Sequence, residues 1–138
     1  MKHLFQVFNL LCFAGALIGL LFSCKEDRTT IVFGKVVDQD QQPVDSVMIL
    51  VTGTRSFQGG IPIFKTLTGK DGTYTVNLDV AKKYNALDTF IPEFSIDNPK
   101  YYNHYKLSKL FRNGQQTHSC CFAEIGKKTQ WDFELEPK

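Results

Sequence analysis

From Ile31 to Leu135 the chain is built of short runs in which apolar and polar residues alternate, each closed by a cluster of turn residues. Thr73-Tyr74-Thr75-Val76-Asn77-Leu78 puts Tyr74, Val76 and Leu78 on one face, and Thr129 to Leu135 puts Trp131, Phe133 and Leu135 on one face. Period-two alternation is the signature of a half-buried strand. Ile31 to Val37 is rich in β-branched residues and reads as the first strand. Ser46 to Thr52 is apolar on both faces and reads as a central, buried one. Pro62 confines the Ile61 to Thr68 run to an edge, and Gly69-Lys70-Asp71-Gly72 reads as a tight hairpin turn. Phe94 to Asp97 is expected to add a further half-buried strand. Gly53 to Gly60 reads as an exposed loop with Arg55 and Phe57 near its tip, and Asp79 to Asp88 as polar sequence with room for a helical turn. Lys100 to Lys128 is expected to be irregular with strand character, with Cys121, Phe122 and Ile125 packed. Short strands at this density, without a long helix, predict an all-β antiparallel sandwich of about seven strands.

The first 23 residues do not fit that pattern. Met1-Lys2-His3 is followed by an apolar stretch whose continuous part, Leu10 to Phe22, spans 13 residues. Crossing a bilayer takes about 20, so a basic start, a short apolar run and the small Ser23 read as a secretory signal peptide, with a retained span as the alternative. Leu21-Phe22-Ser23-Cys24 resembles the lipobox of bacterial lipoproteins. The resemblance implies cleavage before Cys24 and acylation of its sulfur and α-amine with palmitate-type chains. Two or three chains hold a protein on a membrane where one binds only marginally. Lys25-Glu26-Asp27 resembles the tag that sends lipoproteins of Bacteroidetes to the cell surface. The expected organisation is residues 1–23 as signal peptide, 24–30 as acylated cysteine and polar linker, and 31–137 as the folded domain.

Composition limits the functions open to that domain. Of 16 basic side chains Lys2 leaves with the signal, so 15 face 14 acidic ones, a balance unlike the basic stripe of a nucleic-acid binder. Of the four cysteines only Cys120 and Cys121 stay free of signal and lipid. Adjacent cysteines rarely meet disulfide geometry, so two unlinked thiols, one buried and one more exposed, are expected. A vicinal redox or soft-metal pair is the alternative, without the spacing of a zinc site. His104 and His118 are the histidines of the mature chain and lack ligand spacing, so no metal and no cofactor is expected. Asp38, Asp40 and Asp71 read as turn caps bonding their own backbone.

The Ile31 to Leu78 pattern resembles the carboxypeptidase regulatory-like domain, a transthyretin-like Greek-key sandwich. The resemblance rests on Gly34-Lys35-Val36-Val37-Asp38, Pro43-Val44, Val47 to Thr54, and Lys70-Asp71-Gly72-Thr73-Tyr74-Thr75-Val76, with Trp131 to Pro137 like the final strand. It implies a stand-alone binding or scaffolding module and carries no catalytic residues. The expected function is thus a non-enzymatic, lipid-anchored accessory of the outer membrane, with a glycan or another envelope protein as partner. Its candidate contacts are the loop residues Phe57, Tyr102, His104 and Tyr105, because aromatic rings beside polar groups suit sugars and flat partners. The alternatives are an envelope hydrolase built around His104 or His118, and a purely structural component of an outer-membrane complex.

Overall fold

A computed structural model describes residues 26–56, 58–93 and 96–138. Cys24, Lys25 and Phe57 lie outside the described residues, as do residues 1–23, expected to be a signal peptide, and Phe94 and Ser95. The described residues form an all-β sandwich of nine strands and one short helix, against the seven strands expected. The strands are β1 (Thr29–Asp38), β2 (Met48–Arg55), β3 (Gln58–Leu67), β4 (Thr73–Asp79), β5 (Ala86–Phe90), β6 (Tyr105–Arg112), β7 (Gln115–Thr117), β8 (Phe122–Ala123) and β9 (Lys128–Pro137), with helix α1 (Pro99–His104) before β6. One sheet has the order β4-β1-β9-β6-β7 and the other β3-β2-β5-β8. All neighbours run antiparallel except β1 and β9. No described helix is long and apolar enough to cross a membrane.

The core lies where the alternation put it. Trp131, Phe133 and Leu135 of β9, Tyr74 and Val76 of β4, and Val32 and Val36 of β1 pack against Ile49, Val51 and Leu87 of the other sheet. Met48 to Arg55 is central, with β3 on one side and β5 on the other. β3 is an edge strand, as Pro62 requires, and Ile63 is an extra residue where the pairing steps from Val51–Phe64 to Thr52–Pro62.

One interruption in the first sheet organises its centre. The β1–β9 ladder stops after Phe33–Gln130 and resumes at Val36–Phe133. In the gap a Cβ on Gly34 would lie 1.8 Å from the Trp131 carbonyl oxygen, so only glycine lets the two backbones approach so closely. Two side chains satisfy backbone groups at the gap. Asp132 Oδ1 accepts the Lys35 N–H at 2.9 Å, and the Tyr74 hydroxyl donates to the Trp131 carbonyl at 2.7 Å. Tyr74→Phe removes that donor from a buried carbonyl and is expected to destabilise by about 1–3 kcal/mol.

A pH dependence follows from the same phenol. Burial, with Asp132 adding repulsion, pushes the Tyr74 pKa well above the usual tyrosine range, and burial followed by Glu93 raises that of Tyr101. A group whose pKa is raised by folding contributes fully below its unfolded value, about 10 for tyrosine, and the contribution is lost as pH climbs through the folded value. Urea midpoints are therefore expected to fall above about pH 10, less steeply in Tyr74→Phe than in the wild type. An equal slope in both would remove Tyr74 as the cause.

Several local expectations are corrected. Gly69 to Gly72 is a tight turn, with Gly72 N–H donating to the Gly69 carbonyl, but it is not a hairpin: β3 and β4 belong to different sheets. Gly53 to Gly60 is not a loop, because β2 runs to Arg55 and β3 starts at Gln58. Leu87 buried against the core turns the end of the Asp79 to Asp88 stretch into β5. Glu93, Ile96 and Asp97 lie in turns rather than a strand, and Ile96 is 93% exposed. Lys100 to Lys128 is more regular than expected, holding most of α1 and the whole of β6, β7 and β8. Cys121 and Ile125 pack as anticipated, but Phe122 is 42% exposed because it lies on the outer face of β8. Cys120 and Cys121 are joined in a vicinal disulfide. Two unlinked thiols were expected; instead the two neighbouring side chains turn toward each other and their sulfurs are bonded.

Candidate functional site

The outer face of the β3-β2-β5-β8 sheet carries two adjoining hollows. In β2 the odd-numbered residues Ile49 and Val51 enter the core, so Met48, Leu50 and Thr52 point outward. Register places Lys65, Leu50 and Phe90 in one row across three strands, and Pro62, Thr52, Asp88 and Phe122 in the next across four. Two hollows follow these rows and share Phe90. One, of about 590 Å³, is lined by Met48, Leu50, Pro62, Phe90 and Pro92 with Lys65, Glu93 and Asp97 at its rim. The other, of about 340 Å³, is lined by Thr52, Gly60, Asp88, Phe90 and the Cys120–Cys121 disulfide. Gly60 keeps the second one open: a Cβ there would lie 2.6 Å from Thr52 Oγ1.

The floor is apolar and the polar groups sit at the two ends. The Asp88 carboxylate is half-buried and makes no hydrogen bond or ion pair with a described residue. It stands opposite Thr52 as an acceptor beside a hydroxyl. At the other end Lys65 and Asp97 are 3.6 Å apart, both exposed. Such a surface can hold a flat or extended ligand by apolar contact and orient it through a few hydrogen bonds.

The loop residues proposed from sequence are only partly brought together. Tyr102 is 48% exposed on α1 and, with Asn103, Ile96 and Pro99, lines a separate cleft of about 390 Å³. Lys138 Nζ lies 5.0 Å from the Tyr102 ring centre and donates to the Tyr102 carbonyl. Tyr101 is buried in the core, and Tyr105 begins β6 half-buried against it, so neither ring is presented to a partner. His104 closes α1, exposed, and His118 is exposed after β7. Neither imidazole makes a hydrogen bond or ion pair with a described residue. No group of three His, Cys, Asp or Glu residues that could hold a metal occurs among the described residues.

Asp38 and Asp71 behave as turn caps, whereas only the backbone of Asp40 is hydrogen-bonded, its N–H donating to Asp38 and its carbonyl accepting from Gln42. Asp38 Oδ1 accepts from the Asp40 and Gln42 N–H groups. Asp71 Oδ1 accepts from the Thr73 hydroxyl and N–H, and these bonds hold its carboxyl below the usual range. The Lys100 ammonium, then the Ser46 hydroxyl, do the same for Asp45. Sequence reasoning overlooked Leu50, Asp88 and Phe90, because they meet only through register between strands far apart in the chain.

Fold and surface together define an all-β sandwich with a ligand-sized groove on one sheet. No protein-family model matches the chain, and no characterised protein matches it in sequence. Two solved structures are similar in outline. A 9R-lipoxygenase from Cyanothece PCC8801 aligns with a TM-score of 0.41 and 10% identity over 83% of this chain, which spans 17% of that protein. The dioxygenase domain of a dioxygenase carbohydrate-binding protein fusion from Streptomyces sp. SirexAA-E aligns with a TM-score of 0.40 and 14% identity over 85% of each chain. At these values neither likeness bears on function.

Proposed function

We propose that the chain is a lipid-anchored, non-enzymatic accessory module of the bacterial outer membrane, a carboxypeptidase regulatory-like sandwich that binds its partner through the outer face of the β3-β2-β5-β8 sheet. The observation that carries the anchor is the position of Cys24, where the apolar run ends behind Leu21-Phe22-Ser23 and ahead of a polar linker. The binding reading is supported by the groove. Its Leu50, Phe90 and Asp88 stand on paired strands and not on loops, the placement that holds a contact surface in fixed geometry. A glycan or an envelope protein fits the apolar floor and polar ends.

Growth with a clickable fatty acid should label the wild type and not Cys24→Ala; equal labelling of the two would end the lipoprotein reading. For the binding face, affinity capture from membranes with the intact lipoprotein is expected to recover a partner that Phe90→Lys loses. Phe90 is only partly buried and faces outward, so the substitution spares the core. Capture that survives Phe90→Lys but fails with Tyr102→Ala would move the contact surface to the α1 cleft.

A further inference from the structure

The described chain is electrically neutral, with 14 basic and 14 acidic side chains once Lys2 and Lys25 are set aside, yet its charges are sorted by position. The chain enters the sandwich at Glu26 and Asp27, and Arg28 fixes that end. Its guanidinium donates to the carbonyls of Val80 and Tyr84 at 2.9 and 2.7 Å. The turn ahead of β9 closes on the same place, since Gly126 N–H donates to Thr30 Oγ1 and Ile31 N–H to the Lys127 carbonyl. Around this rim stand Lys82, Lys83, Lys127, Lys128, Arg55 and Arg112, the four lysines exposed.

The carboxylates of the rim are fewer and partly occupied. Glu124 lies 2.6 Å from Lys127 and 3.3 Å from Arg112, and Glu26 lies 3.6 Å from Arg28. Asp27 Oδ1 accepts the Thr29 N–H, leaving Asp79 as the remaining acid. Lys82, Lys83 and Lys128 are in no ion pair with a described residue. Lys83 and Lys128 lie over the rings of Tyr84 and Phe33 at 5.1 and 4.5 Å, contacts that leave the ammonium groups able to meet an anion. Asp38, Asp40, Asp45, Asp71 and Asp97 stand at the opposite end, beside the Gln42 and Gly69–Gly72 turns and α1, where Lys100 pairs with Asp45, Lys65 lies 3.6 Å from Asp97 and Lys106 lies 2.9 Å from Glu136.

We propose that the Arg28 end of the sandwich lies against anionic phospholipid headgroups, with the lysines of the 81–84 and 126–128 turns contacting phosphate oxygens. This rests on Cys24 being the anchor. The acyl chains would then sit a few residues from this rim, and a segment of Lys25 to Arg28 is too short to let the sandwich turn over. Each ammonium group near an anionic surface adds attraction that is felt only within a Debye length. The far end, whose carboxylates are paired with Lys65, Lys100 and Lys106, gains no such attraction, so both sheet faces, and the groove on one of them, stand clear of the bilayer.

The test uses the acylated full-length mature protein in vesicles of phosphatidylcholine alone or mixed with phosphatidylglycerol. Amine-reactive labelling followed by peptide mass analysis compares Lys82, Lys83, Lys127 and Lys128 with Lys70 at the far end. In the anionic vesicles the four rim lysines should be protected roughly threefold or more relative to Lys70, and the protection should vanish near 1 M salt, where the Debye length is about 3 Å. Even labelling of both ends in anionic vesicles overturns the proposal. Flotation with the neutral vesicles tests the anchor separately. If the protein floats there and labels evenly, the anchor stands and the docked end does not. If it fails to float there but the rim is still protected by anionic vesicles, the docked end stands without the anchor.

Discussion

Replacing Gly34 with alanine should abolish the folded state or lower its stability by about 4 kcal/mol or more, the range reserved for changes the structure cannot absorb. The added Cβ would sit 1.8 Å from the Trp131 carbonyl oxygen, 2.7 Å from its carbon and 2.9 Å from Asp132 Oδ1. Relief requires β1 and β9 to separate by more than an ångström. Both are inner strands: β1 is also tied to β4 and β9 to β6, so movement at the gap breaks pairing on both sides. It also withdraws Trp131 from the Tyr74 hydroxyl and Asp132 from the Lys35 N–H. Far-UV circular dichroism and urea unfolding are the measurements, with Thr75→Ala on the exposed face of β4 as a control expected to stay within about 0.5 kcal/mol of wild type. A Gly34→Ala protein within 1 kcal/mol of wild type would mean that the close approach is not a requirement of the fold.

Trp131→Ala should cost about 3–5 kcal/mol. Trp131 is the largest fully buried side chain among the described residues, and its Nε1 donates to the Phe122 carbonyl at 3.2 Å. Truncation therefore opens a cavity between the sheets and leaves the short β8 without its tie to the first sheet. Trp131→Phe fills most of the space and loses the hydrogen bond, worth about 1 kcal/mol net. Because this is the sole tryptophan of the chain, circular dichroism must report the transition in place of intrinsic fluorescence. If alanine proved as mild as phenylalanine, the sandwich would have to close over the vacated volume.

How far the sequence foretold these features depended on whether the relevant signal was local. β1, β4 and β9 carry clean alternation, and their inward residues were legible one by one. β6 was not, for a specific reason. Its pairing with β9 steps between Leu107–Leu135 and Lys109–Glu134, so Ser108 is an extra residue. That bulge puts Leu107 and Leu110 on the same face three positions apart, a spacing that imitates a helix. Pro99, which follows the strand expected over Phe94 to Asp97, opens α1 at a position where proline's missing N–H costs nothing. Asn113-Gly114, both at positive φ, is the hairpin signal that would have placed β6 and β7. Ile96 shows the opposite error, since it alternates with polar neighbours in sequence yet lies in a turn, 93% exposed. The groove was illegible because Leu50, Asp88 and Phe90 become neighbours only through register. A resemblance to a sandwich family states which strands exist and leaves open what their outer faces jointly offer.

The irregularity of β3 has a consequence for molecules packed side by side. A strand laid along this free edge from a second copy would meet no donor at Pro62 and a backbone step at Ile63. The ladder would fail after a few rungs, although Ile61, Phe64 and Leu67 leave enough apolar surface there to invite contact. Copies of the sandwich can thus be crowded edge to edge while each keeps its own sheet boundary.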